Sequence, residues 1–142
     1  LKGIASSLPV KQHKIKVTNR YFNYIYVRMG AHTLIHKRTE DDIWKNLFEL
    51  PLVETEKDLS EEEFLACPQF HALFAEGEVR MVRTLLRGVK HVLSHRVIYT
   101  NFYEVTLPDN SSSFSSYQRV AVEDLDRYAV PRLIHAFLEK YV

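Results

Sequence analysis

The 142-residue chain has little of several residue types that mark particular protein classes. It has one cysteine, Cys67, which excludes an internal disulfide and any cysteine-ligated zinc or iron–sulfur site within the chain. It has no apolar run of about 18 residues and no opening signal peptide, so membrane spanning and export are not expected. The formal net charge is +1, which excludes the strongly cationic composition of a simple nucleic-acid-coating protein.

The chain does contain enough apolar material for a packed core. Hydrophobic residues make up 46% of the sequence, and eight Tyr and eight Phe supply large side chains. We therefore expect one folded domain at residues 13–142. Residues 1–12 contain Gly3 and Pro9 without apolar periodicity, which predicts an interdomain linker. Because the chain begins at Leu1 and not at methionine, we expect it to be part of a longer protein.

Alternating apolar residues predict a β-rich core. Residues 15–29 carry large apolar side chains on both faces of the alternation, which is typical of a strand packed between two layers. A two-residue turn at Gly30-Ala31 then predicts an antiparallel partner strand at 32–38. Further strands are predicted at residues 46–53 and 117–122, and the β-rich runs at 89–95 and 97–107 predict either one long bent strand or a hairpin.

Helix starts are indicated by capping signals. Ser60 followed by Glu63 forms a capping box, and the helix that it begins should end before Pro68. A short helical turn is predicted around Phe70, and Pro131 fits the first turn of a terminal helix with one apolar face. The order of strands and helices predicts an α/β chain of the α+β type, with one mixed sheet packed between helices.

Charge is unevenly distributed along the chain. Residues 11–20 and 79–103 hold basic side chains and no acidic ones, whereas residues 54–63 hold six acidic side chains and one lysine. Each stretch alone is typical of a solvated face. Two acid-free basic stretches in a nearly neutral domain, however, favour a polyanion bound to one face.

Five local strings together resemble the C-terminal domain of the MutY family of adenine DNA glycosylases. They are Leu-Pro-Val-Lys at 8–11, Ile-His-Lys-Arg at 35–38, Asp-Ile-Trp-Lys-Asn-Leu-Phe-Glu-Leu-Pro at 42–51, Lys-His-Val-Leu-Ser-His at 90–95 and Tyr-Ala-Val-Pro at 128–131. They occur in the family's order and extend over nearly the whole chain. The resemblance implies a Nudix-like fold. It also implies an upstream glycosylase domain that carries a 4Fe–4S cluster, whereas no cofactor or metal is expected in this chain.

The resemblance further implies what the domain binds. In the family it recognises 8-oxoguanine opposite a misincorporated adenine, while the upstream domain excises the adenine. Leu93, Ser94 and His95 stand where the family has a Phe-Ser-His loop. This assigns Ser94 to the modified base, His95 to orientation or phosphate contact, and Leu93 to an apolar wedge. The candidate contacts to the DNA backbone are Lys11, Lys14, Lys37, Arg38, Lys90, His91 and Arg96.

Two other functions stay open at this point. A Nudix hydrolase of oxidised nucleotides needs a glycine-rich turn and paired glutamates that bind magnesium. Here Glu61, Glu62 and Glu63 have neither an adjacent arginine nor a closing glycine, and they are explained as first-turn helix charges. A protein-interaction domain, for example one that binds a replication clamp, has no recognisable peptide motif here.

Adenine excision is not expected from this chain alone. It requires an acid and a stabilising carboxylate, and no pair of carboxylates in the sequence has an independent claim to these roles. The expected partners are duplex DNA with 8-oxoguanine opposite adenine and the chain's own upstream glycosylase domain. We expect a monomeric, cytoplasmic protein without a membrane segment, associated with the nucleoid in a bacterium.

Overall fold

The structure is a computed structural model that describes residues 16–142. The predicted linker at residues 1–12 lies outside the described residues, and so do Lys11 and Lys14. The elements in chain order are β1 (Thr18–Arg28), β2 (His32–Lys37), β3 (Phe48–Glu49), β4 (Leu52–Thr55), α1 (Glu61–Ala66), α2 (Pro68–His71), β5 (Met81–Val92), β6 (Arg96–Thr106), β7 (Gln118–Ala121), a 3-10 helix (Val122–Arg127) and α3 (Arg132–Tyr141).

The strands form two sheets instead of the single sheet predicted. One has four strands in the order β4-β1-β6-β5, and the other has three in the order β3-β2-β7. β1 pairs in parallel with β6 along its whole length, from Thr18 opposite Arg96 to Arg28 opposite Thr106. The other strand pairs are antiparallel. The four-stranded sheet is therefore mixed, and the α+β fold class is confirmed.

The central position of β1 follows from its two apolar faces. Phe22, Tyr24 and Tyr26 point into a cluster that is closed by Leu133, Ile134 and Phe137 of α3. Ile25 and Val27 point the other way, into a cluster with Phe64 of α1 and Phe70 of α2. The strand is thus packed between helical layers, as its sequence predicted. No helix within residues 16–142 has the length and apolar character needed to cross a membrane.

The predicted hairpin between residues 15–29 and 32–38 is wrong. The turn at Gly30 joins the two strands only through one bridge, in which Met29 and His32 exchange backbone bonds of 3.0 Å. β6 occupies one edge of β1 over its whole length, and β4 occupies part of the other edge, at residues 21–24. β2 diverges and pairs with β3 and β7 in the second sheet.

Two other predicted strands differ from the structure in their bounds. The strand predicted at 46–53 is divided at Leu50-Pro51 into β3 and β4, which belong to different sheets. The strand predicted from Val89 begins already at Met81. Its first half is partly exposed and pairs irregularly around Leu86, so the sequence there lacks the clear alternation of a strand. The capping box at Ser60 is confirmed.

Candidate nucleic-acid interface

The β5–β6 hairpin ends in a tight turn that presents Ser94 and His95. The Leu93 N–H donates to the Arg96 carbonyl at 2.8 Å, and the Arg96 N–H donates back to the Leu93 carbonyl at 3.4 Å. Ser94 and His95 are therefore the two turn residues, and both are exposed. The Thr18 N–H at the start of β1 donates to the His95 carbonyl at 3.0 Å, which anchors the turn to the central strand.

An open cleft of about 480 Å³ lies beside this turn. Three separate parts of the chain line it: Lys16, Thr18, Ile43, Leu93, Ser94, His95 and Arg96. The structure thus brings the predicted recognition loop together with one of the predicted backbone contacts, Arg96. Lys16 and Arg96 supply positive charge, and no carboxylate is present among the lining residues that the structure describes.

The cleft combines three kinds of chemistry. The Ser94 hydroxyl is exposed, and a hydroxyl both donates and accepts hydrogen bonds. Leu93 is half-buried against the cluster under α3, so it supports the turn and still offers part of its surface to the cleft. With the side chain of Ile43 and the two cations, the arrangement suits a planar, polar ring that is attached to a phosphate backbone.

The other predicted backbone contacts have different environments. Lys37 on β2 and Lys90 on β5 are exposed, as a phosphate contact requires. His91 is half-buried, and its ring lies 6.0 Å from the ring of Trp44. His91 therefore packs against the loop between β2 and β3, and it is less open to a ligand than either lysine.

Two arginines, Arg20 of the basic stretch at 11–20 and the predicted contact Arg38, are neutralised inside the fold. Arg38, a predicted backbone contact, donates to Glu49 at 2.8 Å and to Asp42 at 3.0 Å, and its side chain is only 10% exposed. Arg20 donates to Asp42 at 2.8 and 2.9 Å and to Glu54 at 2.7 and 2.8 Å. We call these five residues the ion-pair network. Because Arg38 already has two carboxylate partners, it is less available to a phosphate than the exposed lysines are.

The network shifts the pKa values of its members. Hydrogen bonds from Arg20 lower the pKa of the Asp42 carboxyl to about 2, although partial burial acts in the opposite direction. The bond to Glu54, followed by that to Asp42, raises the pKa of the Arg20 guanidinium. Glu49 is buried and accepts from the Tyr24 hydroxyl at 2.7 Å. Burial first, and then the charge of Glu49, raises the pKa of Tyr24.

The three glutamates at the start of α1 are exposed first-turn residues. The Glu63 carboxylate accepts from the Ser60 N–H at 2.9 Å, and this bond is the main cause that lowers the pKa of Glu63. The Glu63 N–H donates to the Ser60 hydroxyl at 3.1 Å, which completes the capping box. Across residues 16–142, no three His, Cys, Asp or Glu side chains stand close enough to bind a metal ion together.

Three residues that line the cleft, Ile43, Lys16 and Thr18, were not predicted from the sequence. Lys16 belongs to an acid-free stretch, so its charge was the signal that could have identified it. Ile43 and Thr18 carry no such signal, because only the folded topology brings them to the β5–β6 turn.

Comparison with known proteins identifies the fold. The sequence profile of the NUDIX domain matches residues 23–140. The chain belongs to the NUDIX domain family. No curated protein matches it significantly.

Solved structures share this NUDIX fold. The C-terminal domain of mouse MUTYH, solved in complex with human PCNA, is 15% identical, with a TM-score of 0.64 and 86% of each chain covered. A MutT protein from Methanosarcina mazei Go1 is 16% identical, with a TM-score of 0.56, and the match covers 89% of this chain and 95% of that one. The ORF135 protein of E. coli is 14% identical, with a TM-score of 0.56 and coverage of 87% and 88%. At such identities the likeness concerns the fold, which a MutY-type domain and a MutT protein share.

Proposed function

We propose that this NUDIX domain is the recognition domain of an adenine DNA glycosylase and binds 8-oxoguanine opposite adenine in duplex DNA. The observation that carries the proposal is the exposed Ser94-His95 turn, which borders a basic and partly apolar cleft without a lining carboxylate among the described residues. The five MutY-like strings support it. The likeness in fold to the C-terminal domain of mouse MUTYH supports it as well.

The chemistry of the oxidised base suits a serine in a turn. Guanine presents two acceptors, N7 and O6, on its major-groove edge. Oxidation at C8 turns N7 into a donor and adds a carbonyl acceptor. The Ser94 hydroxyl can accept from the N7 hydrogen, and a neighbouring N–H of the turn can donate to the new oxygen. Unmodified guanine has neither the N7 hydrogen nor the oxygen at C8. Its N7 can still accept from the Ser94 hydroxyl, but it leaves the turn N–H without an acceptor, so guanine makes fewer hydrogen bonds than 8-oxoguanine.

In this proposal the cations supply affinity and the turn supplies selectivity. Contacts to phosphate add salt-dependent binding energy and carry no sequence information. Lys16 and Arg96 border the cleft, and Lys37 and Lys90 are exposed, so these four are the phosphate contacts that we favour among the described residues. Lys11 and Lys14 remain predicted contacts. Arg38 and His91 contact Trp44 and are assigned a supporting role.

Excision of adenine is assigned to an upstream glycosylase domain, which would carry the 4Fe–4S cluster. The chain described here would then read the opposite base without cleaving a bond. The intact protein would act as a monomer in the cytoplasm, at the bacterial nucleoid. Its partners would be the damaged duplex and its own upstream domain.

A binding comparison tests the proposal. Duplexes with 8-oxoguanine or guanine opposite a non-cleavable adenosine analogue are titrated with the intact protein and with Ser94→Ala. We expect a preference for the oxidised base that falls about tenfold on substitution, because one discriminating hydrogen-bond group is lost. Ser116→Ala, which removes an exposed hydroxyl outside the cleft, should leave the preference unchanged. An unchanged preference in Ser94→Ala would exclude the role given to Ser94.

A nucleotide hydrolase is the second function to test, because a MutT protein shares the fold. The assay is release of phosphate or pyrophosphate from 8-oxo-dGTP with magnesium. We expect none above background, since Glu63 is engaged in the capping box and its neighbours are exposed first-turn residues. Hydrolysis that is lost in Glu62→Gln would replace the recognition proposal with a hydrolase.

A further inference from the structure

We propose that Ile43 forms the second apolar wall of the base-reading cleft and that Asp42 and Arg38 position it. The inference rests on the proposed function, because it concerns the same cleft. Within the described residues, Ile43 and Leu93 are the two aliphatic side chains that line this cleft. Leu93 belongs to the hairpin, whereas Ile43 belongs to the loop between β2 and β3. The cleft therefore needs both segments to be held in place.

The backbone of Ile43 is bound at both of its polar groups. Its N–H donates to Asp42 Oδ1 at 2.7 Å, and its carbonyl accepts from Arg38 Nε at 3.1 Å. Arg38 and Asp42 are themselves joined at 3.0 Å. One ion pair thus holds the peptide groups on both sides of a single side chain, which restricts the direction in which that side chain points.

The ion-pair network connects this clamp to the sheets. Arg20 on β1 donates to both carboxylate oxygens of Asp42, and Glu49 on β3 accepts from Arg38. Glu49 is 2% exposed, so its anchor lies in the interior. The position of Ile43 is therefore set by strands of both sheets and not by the loop alone.

The residue after Ile43 adds a second constraint. Trp44 has a φ of 58°, in the left-handed region that a bulky residue rarely adopts. Its ring packs edge-on against Phe22 at 5.9 Å and lies 5.9 Å from the Arg38 guanidinium. It also lies 6.0 Å from His91, two residues before Leu93 on the hairpin. Trp44 therefore connects the loop that carries Ile43 to the strand that carries the turn.

Two apolar side chains that line one cleft have a specific use for a base reader. A planar base between Leu93 and Ile43 would exclude water from the hydrogen bonds that Ser94 makes to its edge. A wider cleft would admit water, which competes equally well for guanine and for 8-oxoguanine. Ile43 would therefore contribute to the preference for the oxidised base, and not merely to binding of DNA.

The test compares Ile43→Ala and Ile43→Val with Leu47→Ala, which shortens a half-buried apolar side chain of the same loop outside the cleft. In the intact protein, Ile43→Ala should lower the preference for 8-oxoguanine over guanine by roughly fivefold, within the range of one lost base contact. Ile43→Val should retain most of the preference for 8-oxoguanine, and Leu47→Ala should retain all of it. The slope of log affinity against log salt should stay the same in all three, because no phosphate contact changes.

The positioning role has its own pair of variants. Asp42→Asn keeps an oxygen that can accept from the Ile43 N–H, whereas Asp42→Ala removes it. We expect a larger loss of preference in Asp42→Ala than in Asp42→Asn, measured at a temperature at which thermal melts show both to be folded. Equal thermal destabilisation with an unchanged preference in both variants would show a merely structural role and overturn the positioning claim.

Three outcomes distinguish a failure of this inference from a failure of the proposed function. If the wild-type protein shows no preference for 8-oxoguanine, the proposed function fails and this inference fails with it. If the preference is present, falls in Ser94→Ala and stays intact in folded Ile43→Ala, the proposed function stands and this inference is overturned. A loss in both Ser94→Ala and Ile43→Ala, with Leu47→Ala unchanged, supports both.

Discussion

The β5–β6 turn and the ion-pair network both contain arginines from basic regions of the sequence, yet they use positive charge in opposite ways. At the turn, Arg96 is exposed and borders an open cleft that has no lining carboxylate among the described residues. In the network, Arg20 and Arg38 each bind two carboxylates and are largely withdrawn from solvent. A guanidinium that is already paired has little to offer a phosphate. Accessibility, and not the local count of cations, therefore distinguishes a basic surface that is open to a ligand from a structural one.

The largest predicted effect removes the buried anchor of the network. Glu49→Ala leaves Arg38 with one carboxylate partner and leaves the Tyr24 hydroxyl without its acceptor. Breaking a buried ion pair from one side costs about 3–5 kcal/mol, which urea unfolding would measure. Glu40→Ala, at an exposed position nearby, should change the free energy of unfolding by less than about 0.5 kcal/mol. A loss below about 1 kcal/mol in Glu49→Ala would show that the network does not anchor the fold.

The next prediction separates the two kinds of arginine directly. Arg96→Gln should reduce the slope of log affinity against log salt by about 0.9, because the proposed phosphate contact of Arg96 is lost. Arg20→Gln should leave that slope unchanged and lower the free energy of unfolding by about 2 kcal/mol, since Asp42 and Glu54 lose their shared partner. If both variants change the salt slope, or both change only the free energy of unfolding, the distinction between the exposed and the paired arginine is wrong.

The pH dependence of stability sharpens the description of the network. The pKa of Asp42 is lowered from 3.8 to about 2 in the folded chain, so its ionised form stabilises the fold above about pH 5. That contribution is lost as the pH falls from about 4 to about 2. With its partial exposure taken into account, it amounts to about 1 kcal/mol. The difference in unfolding free energy between wild type and Asp42→Asn should therefore be constant above pH 5 and shrink below pH 4. A difference that is independent of pH would show that ionised Asp42 does not stabilise the fold.

The smallest expected effect concerns the turn. Leu93→Phe restores the aromatic residue of the MutY-like pattern, and stacking on a base is worth about 1 kcal/mol. We expect the preference for 8-oxoguanine in the duplex titration to rise by up to about fivefold. Val92→Phe adds the same ring at a position that is 66% exposed and outside the cleft, and it should not change the preference. An equal gain from both would indicate a non-specific contribution of the ring.

The sequence predicted the elements that depend on local chemistry. The two apolar faces of β1 and the capping box at Ser60 are properties of adjacent residues, and the structure has both. The partners of β2 depended on strands elsewhere in the chain. β2 pairs with β3 and β7 in the second sheet, whereas β1 pairs with β4 and β6. The predicted turn at Gly30 is therefore present, but the predicted pairing of the two strands that it joins is wrong.

The candidate site also contains residues that the sequence could identify and residues that only the fold brings together. The Ser94-His95 turn was recognisable because its residues are contiguous, and the structure exposes it. Arg38 was predicted as a phosphate contact, but its buried partner Glu49 stands 11 residues later, on β3, where the sequence gives no sign of the pairing. Ile43 had no local signal, since its relation to the turn exists only after both sheets have formed.

The parallel pairing of β1 with β6 also determines when in folding the site comes into being. Asn23 and Asn101 are register partners 78 residues apart, and their side chains bond at 3.3 Å. Closing so long a loop is entropically costly and slow compared with forming a hairpin between neighbours. The β5–β6 turn can therefore form early, but the bond from the Thr18 N–H to His95 requires the distant strand. Competence to read a base should appear in refolding experiments later than hairpin structure does, together with the closure of the central strand pair.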